Sequence, residues 1–324
     1  MEKTEPLGRS GLATPPLIFG GNVFGWTIDE PTSFTLLDAF VAEGFTCIDT
    51  ADSYSRWVPG HQGGESEAIL GKWLKGRQDR DRLVIATKVG ADMGAGGKGL
   101  GRGHIERSID ASLRRLNTDY VDLYQSHFDD ETVPIEETLE TYARLVEAGK
   151  VRAIGASNMP PARLEASLAF SSAHGLPRYE TLQPLYNLYD RERFEHDLAP
   201  ITTRAGMGVI PYYALASGFL TGKYRSVEAV AGTARAHSNT KYLTPRGFRI
   251  LAAMDAVAAA RDVTLAAIAV AWLNAQPAIT APIASATSLA QLHELLAGAR
   301  LQLGTDEMAT LAAASAPEAA SPPA

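Results

Sequence analysis

The sequence predicts an α/β fold, a single (α/β)8 TIM barrel with an N-terminal β-hairpin plug. Three observations predict it. Short apolar or β-branched runs alternate with longer stretches of helical period, eight times over. Most of the runs lack polar alternation, as strands buried on both faces do. No Pro/Ser-rich linker interrupts the series, so the 324 residues read as one closed system rather than two domains.

Ahead of the first strand, Leu7-Gly8-Arg9-Ser10-Gly11-Leu12 sets two glycines around a polar turn between hydrophobes, a hairpin suited to plug one end of a barrel. The candidate strands follow at 17–20, 45–49, 83–88, 120–125, 151–156, 180–183, 208–211 and 279–283. Between them, apolar residues recur three or four apart. Phe34, Leu37, Phe40 and Val41 form one such stripe, Ile105, Ile109, Leu113 and Leu116 a second, and Ile135, Leu139, Tyr142 and Val146 a third. The barrel domain is placed at 1–313. Residues 314–324, which hold Ala, Ser, Pro and Glu but no large hydrophobe, are read as a flexible tail.

A doubly wound sheet is the structural rival, because Gly94-Ala95-Gly96-Gly97-Lys98-Gly99 satisfies G-x-G-x-x-G. A dinucleotide fingerprint runs from a strand end straight into a helix. Here the strand ends near Lys88 and two further glycines, Gly101 and Gly103, delay the helix to about His104, so the stretch reads as a flexible loop.

Composition narrows the function classes. At 45% hydrophobic and 21% charged the chain is globular, and 30 Lys+Arg against 37 Asp+Glu give a net charge of −7 with no basic block. Nucleic acid and membrane surfaces are therefore not expected partners. The longest apolar run, 266–272, is far shorter than a bilayer span, the N-terminus lacks a signal-peptide core, and a lone cysteine, Cys47, forms no internal disulfide. A cytoplasmic location is expected. The seven histidines are scattered without H-E-x-x-H, and no G-x-S-x-G elbow is present, which disfavours metal and serine-triad chemistry. Nothing in the sequence specifies an oligomeric state.

In an α/β barrel the chemistry sits where strands end. The second strand ends on Asp49, with Tyr54 five residues beyond; the third ends on Lys88; the fourth runs into His127; the fifth runs into Ser157 and Asn158. Singly, these are ordinary residues: a helix-capping Asp, a surface Lys, a rim aromatic, a structural His. Together they make a catalytic set. Lys88 at a sheet end needs a partner such as Asp49, its charge is expected to lower the phenol of Tyr54 into the range of a working general acid, and His127 is placed to hydrogen-bond a substrate oxygen. Phe24, Trp26, Trp57 and Phe128 fall in loops at the same mouth and predict an apolar substrate pocket. Two long segments, 56–64 and 224–245, are candidates to lid it.

These residues lie in a longer series of ordered motifs. The hairpin 7–12 is followed by Asp49-Thr50-Ala51 with Tyr54, Gly64-Glu65-Ser66-Glu67 with Leu70-Gly71, and Ala86-Thr87-Lys88. Then come the run 119–127 ending on His127, Gly149-Lys150-Val151-Arg152, and Ile154-Gly155-Ala156-Ser157-Asn158. Gln183-Pro184-Leu185-Tyr186-Asn187 and the stretch 215–224 complete the series. It resembles the aldo-keto reductases, NAD(P)H-dependent carbonyl reductases built on an (α/β)8 barrel, over most of the chain. The resemblance implies a tetrad of Tyr54 as general acid, Lys88 tuning it, Asp49 partnering Lys88 and His127 orienting the carbonyl. It implies that Ser157, Asn158 and Gln183 hold a nicotinamide carboxamide and that Tyr212 stacks on the ring. For the rest of the cofactor it points to Leu215, Gly218 and Lys223 after the seventh strand, and to Ser285, Thr287 and Gln291 after the eighth. Ser285 stands where a glycine is usual, and Thr287 and Ser288 stand where basic residues often meet the 2′-phosphate of NADPH. NADP(H) is thus the expected cofactor, with NAD(H) also usable and Lys223 the compensating cation. The expected substrate is a small carbonyl compound or alcohol. The same resemblance extends to potassium-channel β-subunits, so a cofactor-binding, redox-sensing module with little turnover is the alternative to an enzyme.

Overall fold

A computed structural model describes residues 3–233 and 236–316. Its strands are β1 (Glu5–Pro6), β2 (Ala13–Thr14), β3 (Ile18–Gly20), β4 (Cys47–Asp49), β5 (Val84–Val89), β6 (Val121–Ser126), β7 (Val151–Ser157), β8 (Tyr179–Gln183), β9 (Gly208–Val209) and β10 (Ile283–Ala284). β1 and β2 pair antiparallel, and the other eight form one parallel sheet in the order β10-β3-β4-β5-β6-β7-β8-β9. Backbone bonds from Thr280 N to Val209 O (2.8 Å) and from Ile283 N to Pro211 O (2.9 Å) join its last two members and close the barrel.

Around the sheet run α1 (Glu30–Ala42), α2 (Glu65–Leu74), α3 (Arg102–Leu116), α4 (Ile135–Glu147), α5 (Pro161–His174) and α6 (Ala199–Ala205), then α7 (Val227–Val230), α8 (Ala236–Thr240), α9 (Pro245–Arg261), α10 (Leu265–Asn274), α11 (Leu289–Arg300) and α12 (Thr305–Ser315). The three stripes read from sequence bury their apolar faces in α1, α3 and α4. Caps fix where helices start: Asp29 accepts from Thr32 N ahead of α1, and Thr244, Thr264 and Ser288 do the same for α9, α10 and α11. No single described helix is long and apolar enough to cross a membrane.

Strand pleating sorts side chains into two cores. One lies between sheet and helices and takes Phe19, Ile48, Ile85, Tyr124 and Ile154. The other fills the barrel with Ile18, Cys47, Val84, Ala86, Leu123, Ala153, Ile210 and Ile283, and Leu7 and Leu12 of the hairpin join it, which makes the hairpin a plug.

Most strand ends shift by one or two residues from the sequence reading, and three boundaries differ for a definite local reason. The eighth strand is Ile283–Ala284 rather than 279–283, because Pro282 offers no N–H and the preceding residues bond to Val209 individually. α3 begins at Arg102, with Gly101 as its extended N-cap; Gly103 is tolerated because first-turn N–H groups have no helical partner anyway. α12 continues through Ser315, which is buried and receives a bond from Arg191 at 2.7 Å, so 314–315 are helix rather than tail. Ala316 follows as the C-cap, and residues 317–324 of that expected tail lie outside the described residues.

Candidate active site

The inward pleat that carries the barrel core carries the site one step further along each strand. Cys47 is followed by Asp49, Ala86 by Lys88, Leu123 by Gln125 and then His127, and Ala153 by Gly155 and then Ser157. Four strands thus deliver polar groups to one mouth. Lys88, fully buried, donates to Asp49 Oδ2 at 2.5 Å, to Tyr54 Oη at 2.7 Å and to Thr50 O at 2.9 Å, which satisfies its ammonium. Its Nζ also lies 4.5 Å from the Tyr54 ring centroid. Tyr54 donates to Asp49 Oδ2 at 3.3 Å, and the Tyr54 and His127 rings are 6.0 Å apart.

The expected lowering of the Tyr54 phenol by Lys88 is not what this environment produces. Burial first, and the Asp49 carboxylate second, push the phenol well above its ordinary value. Burial lowers Lys88 against the opposing pull of Asp49. Burial, followed by the charge of Lys88, holds His127 well below the usual histidine range, so its imidazole is neutral. Ser53 Oγ lies 3.4 Å from His127 Nδ1, and Phe128 stacks on the same ring at 4.8 Å.

A cavity of about 640 Å³ opens over these groups, lined by Tyr54 and His127 with Trp26, Trp57, Phe128 and Tyr213. Trp57 meets Trp26 edge-on at 5.4 Å and Tyr54 at 6.1 Å. Of the four aromatics expected here, Phe24 is the exception. A 3-10 turn at Gly21–Val23 swings the chain back, and Phe24 stacks on Phe19 at 5.5 Å, fully buried in the sheet–helix core. Both segments expected to lid the mouth reach it, through Arg56 and Trp57 from one and Ser238 from the other. The second is not a bare loop, since α7 and α8 occupy part of it.

Ser157, Asn158, Gln183 and Tyr212 line the same cavity. They are tied to one another: Tyr212 Oη donates to Asn158 Oδ1 (2.8 Å), Asn158 Nδ2 donates to His127 O (3.0 Å), and Ser157 Oγ donates to Gln183 O (2.9 Å). Asn158 takes a left-handed backbone (φ 51°), a conformation Asn adopts more readily than most residues. At Ser217 the cavity meets a second one of about 440 Å³, lined by Leu215, Gly218, Lys223, Ser285, Thr287, Gln291 and Glu294. All six residues expected there are present. Gly218 needs its freedom, with φ 96° and the Lys223 stem packed 3.4 Å from where a Cβ would sit. The Ser285 hydroxyl lies within bonding reach of Gly20 O (2.7 Å) and Asn22 Oδ1 (2.6 Å), while Gln291 accepts from Thr287 N and Oγ1. Among the described residues, Lys223 is the one cation and Glu294 the one carboxylate in this lining.

The Gly64–Glu67 motif supports the site from behind. Glu67, fully buried, accepts from Thr87 at 2.6 Å and from Arg115 Nε at 2.7 Å, and Ser66 bridges Thr50 and Gly21. That network docks α2 and α3 onto β5. Gln125, Ser53, Arg56, Asp92, Tyr213 and Glu294 were not singled out from sequence; for Gln125 the inward pleat between Leu123 and His127 is a usable signal.

The Aldo/keto reductase family model matches residues 16–316. The chain belongs to the aldo-keto reductase family. Among its relatives, Aldo-keto reductase YhdN of Bacillus subtilis is 35% identical over 293 residues, covering 89% of this chain and 83% of that protein. Protein tas of Escherichia coli K12 is 30% identical over 330 residues, with 94% and 95% covered, and a probable voltage-gated potassium channel subunit beta of Oryza sativa subsp. japonica is 31% identical over 296, with 89% and 88%. This aldo-keto reductase is an oxidoreductase of a family that characteristically uses NAD(P)H, on an (α/β)8 barrel.

Proposed function

We propose that this aldo-keto reductase interconverts an aldehyde or ketone and its alcohol, with Tyr54 as the general acid in reduction. The observation that carries the reading is the Tyr54 hydroxyl, held 2.7 Å from a buried Lys88 beneath a cavity that His127 also lines. NAD(P)H supplies the hydride when bound. A carbonyl oxygen between Tyr54 and His127 accepts hydrogen bonds from both, and it draws the Tyr54 proton as its charge develops. A phenol raised by burial is still acidic enough, because the alkoxide it meets is a far stronger base than a phenolate. The phenolate left behind sits against the Lys88 ammonium, and that contact is stronger once the charge exists than before.

The chain's own groups fit a dinucleotide. Two cavities that meet at Ser217 provide an elongated groove, polar amides line the end near Tyr54, and Lys223 lies at the other end. Ser157, Asn158 and Gln183 would hold the carboxamide, Tyr212 the ring face, and Leu215, Gly218, Lys223, Ser285, Thr287 and Gln291 the remainder. NADP(H) binds there with NAD(H) accepted as well, because among the described residues a single lysine, Lys223, shares that lining with a carboxylate, Glu294, and no guanidinium joins them. Trp26, Trp57 and Phe128 form the apolar wall for a planar carbonyl substrate.

Carbonyl-dependent oxidation of NADH and NADPH across aldehydes and aromatic ketones tests the reading. Tyr54→Phe should lose most turnover and keep cofactor affinity; parent-like turnover would reject Tyr54 as the acid. Tight cofactor binding with negligible turnover on every carbonyl would favour the redox-sensing module.

A further inference from the structure

Gln125 lies on β6, fully buried, with Lys88 as its register partner on one side and Gly155 on the other. A Cβ at Gly155 would come within 3.1 Å of Gln125 Cγ, and the pairing of β7 with β8 shifts register between Ile154 and Gly155. The flanking strand therefore leaves room for a long side chain pointing along the barrel interior. Gln125 uses it: its Nε2 donates to Asp49 Oδ1 at 3.1 Å. Gln183 Nε2 donates to the same oxygen at 2.9 Å and to Gln125 Oε1 at 3.3 Å. Because a carboxylate only accepts, chemistry dictates that both amides turn nitrogen toward Asp49. The two oxygens of Asp49 thus divide the work, Oδ2 for Lys88 and Tyr54, Oδ1 for the amides. Gln183 also lines the cavity, so one side chain touches both the cofactor space and Asp49.

We propose that Gln125 is a positioning residue that locks Gln183 and Asp49 into one hydrogen-bonded unit, coupling the amide that meets the cofactor to the Asp49–Lys88–Tyr54 group. This rests on the reductase reading above. Without the Gln125 amide, the Gln183 amide loses one of its two acceptors and is held by Asp49 alone, and the Asp49 carboxylate loses a donor that fixes its plane against Lys88.

The test is a double-mutant cycle on cofactor affinity, with Gln125→Met, Gln183→Met and the pair, methionine keeping the volume while removing the amide. Dissociation constants of NADPH and NADP+ are read from quenching of protein fluorescence. Gln125→Met should weaken binding by about 3- to 10-fold in the parent and leave it unchanged once residue 183 is methionine. It should also lower kcat while the KM for the carbonyl substrate stays put. Gln125→Glu has the same shape and donates to Asp49 only when protonated, so its affinity and turnover relative to the parent should recover as the pH falls. Equal losses in both backgrounds, parent-like affinity in Gln125→Met, or a Gln125→Glu variant whose ratio to the parent ignores pH would overturn the proposal. A parent without carbonyl turnover would reject the reductase reading instead, and the binding cycle would still decide the role of Gln125.

Discussion

Asp52 offers the sharpest test of the electrostatics beneath the site. It lies between Asp49 and Tyr54, its backbone N–H donates to Lys88 O at 3.3 Å, and its carboxyl is buried with Oδ1 lacking a hydrogen-bond partner. Burial, and next the Glu67 carboxylate, push it from 3.8 up to about 8, against the opposing pull of Arg115 and Lys88. Between those values the folded protein holds a proton that the unfolded chain has released. A raised acid of this kind gives its full stability below the unfolded value and loses about 1.4 kcal/mol per pH unit as the pH climbs toward the folded one. By pH 7 the loss reaches about 4 kcal/mol at most. Asp52→Asn removes the titration and keeps an acceptor for the local backbone. Its advantage over the parent in urea denaturation should be near zero at pH 4, grow through neutrality and stop growing above pH 8. His127 has the opposite sign, since a histidine held neutral loses stability as the pH falls below its ordinary value. For that reason the difference between variant and parent, and not the parent's own curve, isolates Asp52. An advantage that stays constant from pH 4 to pH 8, or an Asn variant less stable than the parent at pH 7, would refute the assignment.

Other perturbations address the site directly. Lys88→Met leaves Asp49 buried without its cation, so urea midpoints should report a loss of about 3–5 kcal/mol, and turnover should fall even where the variant is fully folded. Trp57→Ala removes the ring that packs on both Trp26 and Tyr54; the KM for aromatic aldehydes should rise by roughly 10-fold while that for small aliphatic aldehydes barely moves. Steady-state kinetics with both cofactors should show a preference for NADPH well below about 100-fold, and Lys223→Ala should remove what preference there is; a larger preference in the parent would contradict the reading drawn from the single cation among the described lining residues.

How much of this was legible in the sequence depends on whether a property belongs to one strand or to its neighbours. The grouping was legible because Asp49, Lys88 and His127 each lie at or just past the end of a strand, with Tyr54 in the loop that follows Asp49, and hydrophobic runs mark strand ends well. Phe24 was misread for a local reason: the turn at Gly21–Val23 reverses the chain, and a loop residue becomes a core residue. The acidity of Tyr54 was misread for a collective one. Proximity of Lys88 and Tyr54 could be inferred from two strands, but the burial and the Asp49 contact that raise the phenol exist only once the mouth is assembled.

Gln125 marks the line between these cases. Its position was available, since Leu123, Gln125 and His127 alternate inward on one strand, and each pleat of two residues advances about 6.6 Å toward the mouth. Its partners were not, because the contacts with Asp49 and Gln183 require the register of β6 against β5 and β7, the shift at Gly155, and the missing Cβ there. A barrel interior passes from apolar packing to hydrogen-bonded polar groups within a single pleat step. The residue on that step is buried like the core below it and bonded like the site above it, so neither hydropathy nor motif alone assigns it.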